Sequence, residues 1–376
     1  MSAPPDLVSA ATRLKRWLFR HALPLWWERG ADLRHGGFFE RIGMDGQPTH
    51  APKRLRVSAR QAHVYALGAR LGWDGPADAA CRHAIDYVLA RRGDDGLYRN
   101  EASPDAAPLD GMGLIYDQAF VLLALAAARS QLGHPGFEAP ALALQQCIAD
   151  FAHRLGGYGE APGLAEPLFA NPNMHLFESF QGWSAISTDP SWRDLAAMEA
   201  KLAMDRLIKP AAGTLGERFG PDWAPPAASA DRFVWPGHLY EWGWLLLDWK
   251  DGGSASQAAA LRLIEVAERT GVDAAGMTIF ALDEHLAPTD RGTRLWSQTE
   301  RVRACTRAAA ATEDDALWLA ALEACHALEA FLAVPREGLW WDWRERTGEF
   351  REEASPGSSL YHIAGAIAEL DRTVLA

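Results

Sequence analysis

The sequence is poor in cysteine and in positive charge, and it lacks any long apolar run. Its four cysteines, Cys81, Cys147, Cys305 and Cys325, lie far apart and form no CxxC pair. That excludes a disulfide framework and a thiolate zinc site, and they read as buried thiols of a reducing compartment. Lys and Arg number 37 against 49 Asp and Glu, for a net charge of −12. Nucleic acid and anionic lipid both require a basic footprint, so neither is expected as a partner. No window approaches about 18 uncharged apolar residues, so no membrane span is expected. Residues 1–27 mix charges into their apolar positions and do not form a signal peptide. A cytoplasmic address is the expectation. Also missing are a P-loop, a nucleophile elbow and a dinucleotide fingerprint, so no cofactor and no serine-hydrolase chemistry is indicated.

What the chain does have is helical periodicity and tryptophan. Twelve segments carry apolar residues at three- and four-residue spacing, among them Leu7–Trp27, Arg54–Leu71, Leu114–Leu132, Pro140–Leu155, Met174–Ile186, His238–Asp248, Leu295–Ala309 and Leu360–Ala368. Between helix pairs lie Gly-led, strand-like segments that begin near Gly36, Gly96, Gly157, Gly213, Gly276 and Gly338. A second series marks alternate helices: Arg60, Asp117, His175, His238, Gln298 and His362, separated by 57, 58, 63, 60 and 64 residues. Two interleaved six-fold series predict an all-α (α/α)6 barrel of six helical hairpins, with short β-hairpin loops, in one domain spanning 1–376. The first helix is outer, so the marked residues fall on inner helices near one mouth. Sixteen tryptophans against 7 tyrosines suit both helix packing and the apolar face of a pyranose; Trp235, Trp242, Trp296, Trp340, Trp341 and Trp343 sit in polar company.

Candidate chemistry follows from the polar residues in apolar settings. His238 has Glu241 three residues on, a spacing that shares a helix face and can tune an imidazole for acid–base work. His175 is followed by Glu178 at the same spacing, with Asn171 or Asn173 as an N-cap. This pair also raises a weak metal reading. His362 enters a helix beneath a polar loop. Arg60 is surrounded by Ala59, Ala62, Val64 and Leu67, and a buried arginine needs an anion. Asp117, Glu217, Trp296, Gln298 and Glu300 are further polar or aromatic candidates; Asp117 and Glu217, each taken alone, read sooner as structural hydrogen-bonded carboxylates.

The ordered motifs HGGFFERIGMDGQP, KRLRVSARQAHVYAL, YDQAF, NPNMHLFES, WPGHLYEWGWLLL, RLWSQTE and PGSSLYHI resemble the N-acylglucosamine 2-epimerase superfamily across nearly the whole chain, with a mannose isomerase-like form in the last two. The resemblance implies a metal-independent sugar site at one barrel mouth. It makes Arg60, His238, Glu241 and His362 catalytic, with Glu241 as the partner of His238. It also implies that His175 and Trp296 hold substrate, and Asp117, Glu217, Gln298 and Glu300 are placed with them as substrate-binding candidates. The expected reaction is mannose–fructose isomerisation through a cis-enediolate, by a monomer or homodimer acting on a monosaccharide. A sugar 2-epimerase is the alternative. A glycoside hydrolase using two of Asp117, Glu217 and Glu241, a non-catalytic sugar-binding protein and a metal enzyme using His175 and Glu178 are the rivals.

Overall fold

The computed structural model describes residues 3–109, 111–161, 167–209 and 212–376. Helices α1 (Pro5–Trp17), α2 (Leu55–Arg70), α3 (Ala77–Leu89), α4 (Ile115–Leu132), α5 (Glu138–Ile148) and α6 (Ala170–Ser184) form the first half. Helices α7 (Ser191–Leu202), α8 (Pro236–Asp248), α9 (Gly253–Thr270), α10 (Leu295–Thr312), α11 (Asp315–Leu332) and α12 (Leu360–Leu370) form the second. The even-numbered helices make the inner ring. They pack α2 on α4, α4 on α6, α8 on α10 and α10 on α12, with α12 returning to α2 and a thinner α6–α8 contact. The odd-numbered helices back them, and α1 against α11 closes the outer ring. The fold is the (α/α)6 barrel.

The burial pattern explains which ring each helix joins. Helix α1 buries one stripe, Leu7, Ala10, Ala11 and Leu14, as an outer helix must. Helix α4 is buried at every position from Asp117 to Ala126, because neighbours cover all its sides. Trp242 and Trp340 are wholly buried packing residues, Trp242 stacked on Phe177 and Trp340 on Trp26. Only Trp235, Trp296 and Trp343 of the tryptophans in polar company keep partial exposure.

Several boundaries differ from the sequence expectation. The Leu7–Trp27 segment is α-helical to Trp17 and again over Leu23–Leu25, and it widens into π-turns at Leu18–Ala22 and Trp26–Gly30. Pro24 lies between them; it cannot donate to the carbonyl four residues back, and its ring crowds that carbonyl. The Pro140–Leu155 segment is helical over Glu138–Ile148 and then tightens into a 3₁₀ turn at Ala149–Phe151. Helix α6 starts at Ala170, so neither Asn171 nor Asn173 caps it; the N-cap is Phe169.

All six glycines of the Gly-led series have positive φ, between 64° at Gly213 and 88° at Gly338. Each sits in a tight turn. Bridges such as Arg92↔Tyr98, Ala152↔Tyr158 and Val272↔Thr278 close the turns, which only glycine makes without strain. At Gly338 a Cβ would also lie 2.6 Å from the backbone oxygen of His21. Inner helices hold these turns through fixed latches. Gln118 binds the backbone N–H and C=O of Tyr98, Asn173 those of Tyr158 and Gln298 those of Thr278, while Ser58 accepts from Phe38 N–H. Short strands then staple neighbouring repeats, as Lys53–Arg54 to Glu101–Ala102 and Leu168–Phe169 to Arg218–Phe219. The longest hairpin joins Ile279–Leu282 to Pro288–Arg294. Among the described residues, no helix is long and apolar enough to cross a membrane.

Candidate active site

The latches fix the register of the site. Ser58, Gln118, Asn173 and Gln298 are each the fourth residue of their helix. Two positions on, the sixth residues are Arg60, Phe120, His175, Glu241 and Glu300. His362 is also the sixth, counted from the 3₁₀ turn Gly357–Ser359 that leads into α12. These six meet at the axis in one layer. One turn nearer the mouth stand Arg56, Tyr116, His238 and Trp296. One turn deeper stand His63, Glu178, Trp244, Arg303 and Gly365.

This geometry corrects three of the sequence assignments. Gln298 is fully buried and spends its amide on Thr278 and on the Arg294 carbonyl, so it holds a turn. Asp117 is buried in an ion pair with Arg56 at 3.1 Å. His238 pairs with Glu217: its Nδ1 lies 2.7 Å from Glu217 Oε2, while Glu217 Oε1 accepts from Trp235 N–H. Glu241 faces His175 instead, at 4.0 Å. The i, i+3 spacing put both His238 and Glu241 on the axial face but one turn apart in depth, and a loop carboxylate reached the imidazole first.

The second histidine is held in the same way. His362 Nδ1 lies 2.8 Å from Glu300 Oε1, so Glu300 is an orienting group. A carboxylate on Nδ1 makes that nitrogen the donor and leaves the Nε2 lone pair free to accept a proton. Burial first, then Arg60 and His175, push the His362 pKa well below 6.5. The ring is therefore neutral over the whole physiological range. His175, hydrogen-bonded to Glu178 at 3.4 Å, is pushed down to about 4 by burial. Trp296 lies between the two carboxylate-held histidines, its ring 5.0 Å from His238 and 6.0 Å from His362.

Arg60 packs over Phe120 at 4.1 Å and over Tyr361 at 5.1 Å. It donates to Tyr116 Oη and to the Ser358 carbonyl. Among the described residues no carboxylate pairs with it, and its buried Nε has no partner. The other guanidiniums nearby are neutralised: Arg56 by Asp117, Arg294 by Asp342 and Arg303 by Glu300. Glu241 is the converse case. Its buried Oε1 has no hydrogen-bond partner among the described residues. Burial, followed by Glu300 and Glu178, pushes its pKa well above the usual carboxylate range. Glu241, Glu300 and His362 each offer an atom within 4.8 Å of the others, the set that could hold a cation, but Glu300 is already bonded to Arg303 and His362.

Sequence reading missed Arg303 and Tyr361. The signal for Arg303 was available: Trp296, Glu300 and Arg303 follow helical i, i+4, i+7 spacing. Tyr361 donates to Glu178 from the residue beside His362 and had no periodic signal of its own.

Replacing Gln298 with Leu strands the buried N–H and C=O of Thr278. The expected loss is about 1–3 kcal/mol of stability, read as a lower midpoint in urea unfolding, with turnover per folded molecule unchanged. A large fall in turnover at unchanged stability would return Gln298 to the sugar site.

Fold and site together define an (α/α)6-barrel enzyme with acid–base side chains on its axis. The chain belongs to the N-acylglucosamine 2-epimerase family, whose model matches residues 37–366, and it is a sugar isomerase or epimerase. It is 38% identical over 387 residues to a mannose-6-phosphate isomerase of Rhizobium meliloti (strain 1021), covering 97% of this chain and 98% of that one. It is 28% identical over 307 residues to a D-mannose isomerase of Thermobifida fusca, covering 72% and 73%. The structure of a cellobiose 2-epimerase from Spirochaeta thermophila DSM 6192 superposes with a TM-score of 0.87 at 24% identity, over 98% of each chain.

Proposed function

We propose that the protein interconverts D-mannose and D-fructose, the unphosphorylated sugars, through a cis-enediolate. The observation that carries this reading is Arg60. It is a buried guanidinium with no carboxylate partner among the described residues, beside histidines whose Nδ1 atoms are fixed on carboxylates. Such a site suits a reaction that creates an anion only transiently. In the open-chain aldose the C2 proton is acidic because C1 is a carbonyl. His362 Nε2 takes that proton and Arg60 stabilises the enediolate oxygen. Transfer of the O2 hydroxyl proton to O1, with delivery of the abstracted proton to C1, gives the ketose. His238, oriented by Glu217, assists ring opening and proton return, while Trp296 and His175 hold the sugar. Glu241, carrying a proton, donates a hydrogen bond to a sugar hydroxyl.

One relative is named a mannose-6-phosphate isomerase and the other a D-mannose isomerase, so both names favour isomerisation of a mannose and divide on its phosphate. The free hexose is favoured over its phosphate because Arg56, Arg294 and Arg303, the other arginines described at the site, are each already paired with a carboxylate. The second reading is 2-epimerisation, which needs only that the proton return to C2 from the opposite face, with His238 as the candidate donor.

Proton NMR of mannose incubated with the protein in D₂O separates the readings. Fructose is the expected product. Glucose without fructose would make the protein a 2-epimerase, conversion of mannose 6-phosphate alone would overturn the free-sugar reading, and release of a monosaccharide from a disaccharide would indicate a hydrolase. Turnover is expected to survive chelation; loss restored by a divalent cation would move the chemistry to the Glu241, Glu300 and His362 set.

A further inference from the structure

Beneath the histidines lies a buried charge cluster that the proposed reaction does not itself use. Arg303 Nη1 donates to Glu300 Oε2 at 2.8 Å, and Nη2 lies 3.7 Å from Glu178 Oε1. The guanidinium is stacked over Trp244 at 3.7 Å. On its other side lies Gly365, close enough that a Cβ there would touch Arg303 Cζ at 3.4 Å. The cation is therefore fixed by packing from α8 and α12 as well as by its ion pairs.

Glu300 faces a dense set of titratable groups. His362 is on α12, Glu241 on α8, Glu178 and His175 on α6, and Arg303 on its own helix. Burial and the neighbouring Glu178 carboxylate push the Glu300 pKa up, and Arg303 opposes them; without Arg303 the proton would go onto Glu300. A protonated Glu300 becomes a donor. It would then donate to His362 Nδ1 and move the imidazole proton to Nε2, the atom needed as base.

We infer that Arg303 is a positioning residue that keeps Glu300 ionised and thereby sets the reactive tautomer of His362, acting one turn below the sugar without touching it. The inference rests on the proposed role of His362 as base. Direct contact runs Arg303 to Glu300 to His362, and each link is a hydrogen bond of 2.8 Å. Lysine at 303 retains the charge but loses the planar fork on Trp244.

The test compares Arg303→Met and Arg303→Lys with the unaltered protein, measuring kcat and KM against pH for whichever sugar conversion the unaltered protein catalyses. For Arg303→Met, kcat at pH 7 is expected to fall about 100-fold with KM little changed. The acidic limb of kcat should move upward by at least about one pH unit, so that activity recovers as the pH is raised towards 9. Arg303→Lys should show the same shift in smaller degree. A uniform loss at every pH, or an unmoved limb in a folded variant, would overturn the inference. Should the Met variant not fold, an unmoved limb in the Lys variant is equally decisive against it. Nitrogen-15 shifts of the His362 imidazole give a reading independent of turnover: Nδ1 protonated in the unaltered protein, Nε2 protonated in Arg303→Met. If the protein converts no sugar but these shifts behave so, the proposed reaction fails while the tautomer control stands; identical shifts in both proteins sink the tautomer control.

Discussion

Replacing His362 with Ala is expected to lower turnover by about 10²–10⁴-fold while sugar binding stays nearly intact. The imidazole is the group whose Nε2 is both free and backed by a carboxylate, Glu300, that is itself fixed by Arg303. Removing it deletes the base without removing Trp296, His175 or Arg60 from the sugar. The effect should therefore fall on kcat. Exchange of the C2 proton of mannose with D₂O should fall in parallel with isomerisation, because both require its abstraction. Because burial holds the His362 pKa well below its ordinary value, the unaltered protein should hold its activity through pH 6, where an exposed histidine would already be mostly protonated. Retention of more than about a tenth of turnover in His362→Ala, against the range expected for a general base, would remove the residue from the mechanism. His238 would then be the remaining base.

Arg60→Ala is expected to reduce kcat by about 10²–10³-fold, the usual consequence of deleting a preorganised donor to a transient oxyanion. Here stability and catalysis should separate cleanly. Arg60 pairs with no carboxylate among the described residues, so its loss strands no buried negative charge. It gives up contacts with the Phe120 and Tyr361 rings and two hydrogen bonds to neutral groups. Thermal unfolding should consequently shift by only a few degrees while turnover collapses. Lysine should restore little, because it lacks the planar fork that fits between two aromatic faces. A variant as active as the unaltered chain would mean that the anion is stabilised elsewhere. Severe destabilisation would mean that Arg60 is an ordinary core cation and that its lack of a partner has no bearing on chemistry.

The two series of residues in the sequence had unequal fates. The glycines at 36, 96, 157, 213, 276 and 338 all occupy the positive-φ turn position. That series was legible because a backbone requirement acts within one residue and admits almost only glycine. The polar series separates by depth and by partner. Arg60, His175 and His362 lie in the axial layer; His238 lies one turn above it. Asp117 and Gln298 are a salt-bridge partner and a turn latch. Their true counterparts in the layer are Phe120 and Glu300. One is apolar and therefore invisible to a search for polar intruders, and the other stands two residues from the glutamine that was chosen.

Pairing was the part that sequence spacing could not supply. Glu217 reaches His238 from a loop 21 residues upstream, and Glu300 reaches His362 from the neighbouring helix, 62 residues away. Helical spacing ranks only partners on the same helix, which is why Glu241 was matched to His238. Arg303, Glu178 and Trp244 share a depth only because three different inner helices enter the barrel in register.

By itself, then, the sequence determined the period, the alternation of inner and outer helices and the places where the chain must turn, since helical burial and positive φ are local demands. Tertiary structure decided which carboxylate holds which histidine and, among the described residues, which arginine has no carboxylate and which glutamate oxygen has no partner. Those depend on the depth and rotation of separate helices around a common axis. A spacing along one helix records neither, whereas the latches between each inner helix and its turn fix both.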